Sequence, residues 1–128
     1  MGNWTCPGPG GYAAQFTDEG NMVSVTFAPK MLLNKAGATA VWRGAGKVFG
    51  EKIGWILKDG RPKSAVLRKW ATETDTNGNE REVQSLGVYA LNSDKACVYA
   101  EVDVRKPRAD EVAANFASEA VNWRCTEK

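Results

Sequence analysis

Apolar and polar residues alternate at every second position along much of this chain. Residues 22–27 set the pattern: Val23, Val25 and Phe27 share one face, while Met22, Ser24 and Thr26 take the other. A period of two marks a strand with one buried face. Residues 12–16 read as its partner across a turn at Asp18-Glu19-Gly20-Asn21. A short strand ending near Cys6 comes before them. The Pro7-Gly8-Pro9-Gly10-Gly11 phrase that follows it is a loop, because proline lacks a donor and glycine loses the most backbone freedom on ordering.

The pattern sharpens from residue 52. Residues 52–58, 64–72, 82–91 and 97–104 read as four strands. Asp59-Gly60-Arg61-Pro62, Asp75-Thr76-Asn77-Gly78-Asn79 and Asn92-Ser93-Asp94-Lys95 supply the turns between them, with Pro62 expected to block extension. In the last strand Val98, Ala100, Val102 and Val104 share a face. Residues 29–50 carry no clear period. A short helix at 30–35 after Pro29 is expected there, followed by a stretch broken by Gly44, Gly46 and Gly50.

The period changes to that of a helix after Pro107. Val112, Phe116, Ala120 and Trp123 recur at helical spacing, with Ala109 and Ala113 on the same stripe, so residues 109–123 are expected to be helical. Asp110 and Glu111 in the first turn favour the helix dipole. This face is expected to cover the valine face of the last strand. The fold class is therefore α+β: an antiparallel meander of about six or seven strands with one C-terminal helix on one side. At 128 residues it forms a single domain over 1–128.

Composition narrows the chemistry. The apolar share is 43% and the charged share 25%, which suits a globular chain. A net charge of +2 from 17 basic and 15 acidic residues gives no electrostatic footprint for nucleic acid, so no nucleic-acid partner is expected. The basic run Lys58, Arg61, Lys63, Arg68 and Lys69 reads as a solvated hairpin. No apolar run is long enough for a membrane span. Met1-Gly2 running at once into Trp4 and Cys6 reads as a start that stands in place of a removed leader.

Histidine is absent, which removes the commonest base and metal ligand, so no catalytic residue, metal or cofactor is assigned. Asp75-x-Asn77-x-Asn79 resembles the start of a calcium loop. However, Glu80 stands where glycine is needed and Leu86 where a bidentate glutamate is needed, so it reads as a plain turn. Gly44-Ala45-Gly46-Lys47 lacks the earlier glycine of a phosphate loop, where Val41 stands, and the following hydroxyl, where Val48 stands. Asn3-Trp4-Thr5 is a formal glycosylation sequon.

Three cysteines leave the pairing open. A strand of eight residues from Cys97 spans about 26 Å, and a helix of about sixteen residues returns about 24 Å. This favours Cys97–Cys125. The alternatives are Cys6–Cys125, joining the Trp4-Thr5-Cys6 and Trp123-Arg124-Cys125 ends, or three reduced thiols.

Three further phrases carry a resemblance. One is Gly54-Trp55-Ile56-Leu57 with Asp59-Gly60-Arg61-Pro62 and Ala65-Val66-Leu67-Arg68-Lys69-Trp70. Another is Ala96-Cys97-Val98-Tyr99-Ala100-Glu101-Val102-Asp103. The third is Ala109-Asp110-Glu111-Val112-Ala113 running into Trp123-Arg124-Cys125. With the opening Trp4-Thr5-Cys6, the chain resembles a group of small exported proteins of unknown function from alphaproteobacteria. The resemblance implies a periplasmic or secreted address and a helix-covered sheet. It implies no activity.

Recognition is expected on the sheet face away from the helix. Tyr99, Glu101 and Asp103 alternate onto that face, with Tyr89 from the neighbouring strand and Arg68 and Trp70 from the next. Aromatic and Arg residues anchor interfaces. The competing expectation is that the N-terminal strands close a second core there. The chain is thus expected to be a non-enzymatic module of the cell envelope with a protein or polysaccharide partner. One version is an inhibitor of a secreted hydrolase such as lysozyme. The other class is a polysaccharide hydrolase using Glu101 and Asp103 as acid and base.

Overall fold

The computed structural model describes residues 2–44, 49–93 and 95–126, with the backbone alone at Glu51. Among the described residues eight strands form two antiparallel sheets of four, and one α-helix covers the second sheet. The first sheet holds β1 (Gly2–Pro7), β2 (Tyr12–Glu19), β3 (Met22–Pro29) and β4 (Ala40–Arg43) in chain order. The second holds β5 (Phe49–Lys58), β6 (Arg61–Thr74), β7 (Glu80–Leu91) and β8 (Ala96–Asp103), also in chain order. The helix, α1 (Ala109–Ala120), lies over β6, β7 and β8. The class is α+β, as the alternation and the helical stripe predict. The meander is divided between two sheets, and the N-terminal strands build a sheet of their own.

Turn chemistry fixes both registers. Lys58 pairs with Arg61 across Asp59 and Gly60, which both have positive φ, the requirement of a two-residue I′ hairpin. Glu19 pairs with Met22 across Gly20-Asn21, with Gly20 at φ 78°. Asp75 Oδ1 accepts the backbone N–H of Asn77 and of Asn79, both at 2.9 Å, so this sequence closes a hairpin. Pro62 does not block extension. It sits second in β6, near the strand's start, where a missing donor is tolerated. The expected helix at 30–35 is a single 3-10 turn, Lys30–Leu32, running into a hydrogen-bonded turn.

Two cores result. Between the sheets lie Phe16, Val23, Val25, Phe27, Trp42, Leu67, Tyr89 and Leu91. Between the second sheet and α1 lie Leu86, Val88, Ala90, Val102 and the helix alanines 109, 113, 117 and 120. The buried helical seam is therefore alanine. Val112 and Phe116 flank it half-buried, and Trp123 lies beyond the helix end, 49% exposed. This corrects the expected Val112-Phe116-Trp123 stripe. Small side chains let α1 approach the sheet closely enough for Ser64 Oγ to donate to the Ala117 carbonyl at 2.8 Å, which pushes the bulkier groups to the margins.

The valine face of β8 is broken as well. Tyr89 pairs with Val98 but Val88 pairs with Ala100, so Tyr99 is an extra residue in a β-bulge. A bulge leaves one side chain out of the alternation. Ala100, Val102 and Val104 pack toward α1, whereas Val98 turns away and is 42% exposed.

Candidate functional site

The structure divides the six expected recognition residues between two sides of the second sheet. Tyr89 faces the first sheet and is fully buried in the inter-sheet core. The face expected to be uncovered is thus closed by the N-terminal strands. Arg68 and Trp70 have the opposite parity and lie on the helix side, where Arg68 donates to Gln84 Oε1 at 3.1 Å and approaches Asp110 at 3.9 Å. The bulge carries Tyr99 to the helix side too. Its hydroxyl donates to Glu119 Oε1 at 2.8 Å, which holds its pKa above the ordinary phenol value, and its ring meets Trp123 edge-on at 5.3 Å. No single surface unites the six.

Glu101 and Asp103 stay with Tyr89 on the inner face, at the end of the sandwich. Lys69, read from sequence as part of a solvated hairpin, is instead 4% exposed. Its ammonium donates to Glu101 Oε2 at 2.6 Å and lies 4.9 Å from the centre of the Trp42 ring. Asp103 is clamped by Arg105: Nη2 reaches Oδ2 at 2.7 Å, and the Arg105 backbone N–H reaches Oδ1 at 2.9 Å. The side-chain bonds lead and the backbone bond adds to them, lowering the Asp103 pKa to about 2. A recess of about 240 Å³ opens beside these groups, over Ala71, Val83 and Ser85. Burial, then the nearby Glu101 charge, holds the Tyr89 hydroxyl protonated well above the ordinary phenol value. The Tyr89 hydroxyl and Trp42 Nε1 have no hydrogen-bond partner among the described residues. A general acid needs a carboxyl held protonated near neutrality. Asp103 is driven the other way, and one oxygen of Glu101 is occupied by Lys69.

The larger concavities lie at the opposite end, around the disulfide. Cys97 and Cys125 are bonded, with Cα atoms 5.8 Å apart, and Cys6 is free, half-buried against the inter-sheet core. The bridge ties the segment after α1 to the start of β8. Asn92 secures the same segment, with Oδ1 accepting the Cys125 N–H at 2.7 Å and Nδ2 donating to the Trp123 carbonyl at 3.0 Å. Its own carbonyl accepts the Tyr12 hydroxyl at 2.5 Å. Around this pinned junction lie two adjoining hollows of about 400 and 340 Å³ that share Lys63, Asn92 and Ser93. Trp123 and Arg124 line the first, and Arg61 and Tyr12 the second. The bridge is legible in the sequence but the groove is not, because the groove needs three distant segments. The only hint was Trp123-Arg124 beside a paired cysteine.

Among the described residues no group of three or more Cys, Asp or Glu side chains is placed to hold a metal ion, and no helix is long and apolar enough to cross a membrane. The phosphate-loop fragment beyond Gly44 and Asp94 of the last turn lie outside the described residues. The chain matches no protein-family model, no curated protein and no solved structure.

Proposed function

We propose that this chain is a non-enzymatic binding module that works outside the cytoplasm, in the bacterial cell envelope or secreted, and that its ligand seats in the groove beside Cys97–Cys125. The observation that carries this reading is the build of that groove. It is a hollow of about 400 Å³ with a mostly polar lining, and the segment that carries Trp123 and Arg124 is fixed both by the disulfide and by Asn92, whose four hydrogen-bonding roles also tie it to Tyr12 and Lys95. A pre-formed hollow of this size with a few convergent polar groups is the default place to expect a ligand. A disulfide persists in an oxidising compartment, which supports the extracytoplasmic address. The carboxylate states support the absence of catalysis. With Asp103 held ionised by Arg105 and Glu101 engaged by Lys69, neither suits the acid of a glycosidase pair.

Amide shift mapping with solubilised envelope extract tests the reading. Shifts concentrated at residues 61–63, 92–93 and 121–125 are expected, and shifts centred elsewhere overturn the assignment. Protein added alone to a cell-wall suspension should leave its turbidity unchanged. Loss of turbidity would overturn the non-enzymatic reading in favour of the hydrolase. Protection of that suspension from added lysozyme would mark the module as an inhibitor.

A further inference from the structure

We infer that the groove recognises an anionic saccharide, an inference that rests on the binding reading above and adds the chemistry of the ligand. Its first support is the distribution of ion pairs. The chain has seven arginines. Arg43, Arg68, Arg81, Arg105 and Arg108 each lie within ion-pair distance of a carboxylate. Arg61 and Arg124 make no such pair among the described residues, and both line the groove. Lys63, shared by the two hollows, makes no ion pair with a carboxylate among the described residues. Five guanidinium groups are matched, and the two left over line the two adjoining hollows, Arg124 the first and Arg61 the second, with an unmatched lysine, Lys63, lining both.

No carboxylate is among the described residues lining either hollow. Glu119, near the end of α1, is engaged by the Tyr99 hydroxyl. Lys58 adds a further cation at the rim, with its ammonium 3.4 Å from Asn122 Oδ1. Uncompensated positive groups around a concavity focus the field there and draw in anions. Guanidinium forks suit carboxylate or phosphate oxygens in a bidentate way. The net charge of +2 hides this, because the cations are local rather than general.

The second support is Trp123. It is 49% exposed, and the edge-on contact with Tyr99 at 5.3 Å fixes its ring at the groove wall. An indole held half in solvent offers a flat apolar face beside polar groups. A pyranose ring has one face of C–H groups to lay on it, and its acidic substituents can reach the neighbouring cations. A bare inorganic anion has no use for the ring, and a neutral sugar none for Arg61 and Arg124.

Titration calorimetry at low salt with three probes tests this: oligogalacturonate, a phosphate-bearing oligosaccharide, and a neutral chito-oligosaccharide of equal length. At least one acidic sugar should bind, at least tenfold tighter than the neutral one, and the affinity should fall as salt rises. Which acidic sugar binds better separates carboxylate from phosphate as the recognised group. R61A, K63A and R124A should each weaken that binding several-fold. W123A should weaken it also but leave any binding of inorganic phosphate unchanged. R81A, from a paired arginine outside the groove, should match wild type. Circular dichroism confirms that each variant is folded. Equal affinity for the neutral sugar, wild-type binding by R124A, or tighter capture of anionic-lipid vesicles than of either acidic sugar would overturn the inference. If no defined sugar shifts the groove amides while envelope extract still does, the saccharide class falls and the binding module stands.

Discussion

The aromatic ring of Tyr89 lies directly over the backbone of Gly87, two residues earlier on the same strand. A β-carbon at Gly87 would come within 2.8 Å of Tyr89 Cζ and closer still to the hydroxyl. Glycine inside a strand weakens it unless another group needs the space. Here the buried ring needs it. G87A is expected to destabilise the fold by about 1–3 kcal/mol, the range for overpacking. Y89F removes a buried hydroxyl with no hydrogen-bond partner among the described residues and is expected to change stability by less than about 1 kcal/mol. In the Y89F background G87A should be less damaging, since the closest contact is gone. Urea unfolding of the four proteins measures that coupling. Strict additivity would show that the ring does not set the requirement at Gly87.

The Lys69–Glu101 pair is lopsided. The lysine side chain is 5% exposed and the carboxylate 47%. Removing the exposed partner strands a buried charge, while removing the buried one strands nothing. E101Q is therefore expected to lower stability by about 1–3 kcal/mol, less than for a fully buried pair. K69M should stay within about 1 kcal/mol of wild type, because methionine fills the same channel beneath Trp42. Equal losses in denaturant midpoint would show instead that the pair is a net stabiliser.

The parts of the fold legible in the sequence were those set by nearest neighbours. Alternation through Val23, Val25 and Phe27, and the Asp59-Gly60 hairpin, both follow from local sterics, and both appear in the structure. β4 is only four residues long and turns Val41 outward, which is too little alternation to register. The bulge at Tyr99 was invisible for another reason. Nothing in Cys97-Val98-Tyr99-Ala100 distinguishes an extra residue from a regular one, yet a slip of one position exchanges faces. Lys69 shares the inward parity of Leu67 and Ala71, and that parity was the available signal for its burial. The Cys97–Cys125 bridge was legible because strand rise and helix rise are constants. The groove was not, since Arg61, Asn92 and Arg124 meet only through tertiary packing.

The bridge should matter for stability and for the groove together. Its cysteines are 28 residues apart, and chain entropy for such a loop gives about 3.5 kcal/mol as an upper figure. C97S/C125S, or wild type in reductant, should lose about 2–3.5 kcal/mol on urea unfolding. The freed segment also carries Trp123 and Arg124. Amide exchange at residues 121–126 should therefore speed up before that of β6 and β7. Unchanged protection of 121–126 without the bridge would mean that Asn92 alone holds the segment.

Asp103 gives a prediction in pH. Arg105 lowers its pKa from 3.8 to about 2 in the folded protein. A depressed carboxylate favours the fold wherever it is ionised in both states, and that advantage is lost as pH falls through the folded value. The stability difference between wild type and D103N should thus be constant above 3.8 and shrink toward zero near pH 2. R105Q should return the carboxyl midpoint part of the way to 3.8, because the backbone N–H of residue 105 still donates to Oδ1. Carboxyl carbon shifts followed through an acid titration read the midpoint directly. An R105Q midpoint equal to that of wild type would show that the backbone bond, not the guanidinium, sets the value.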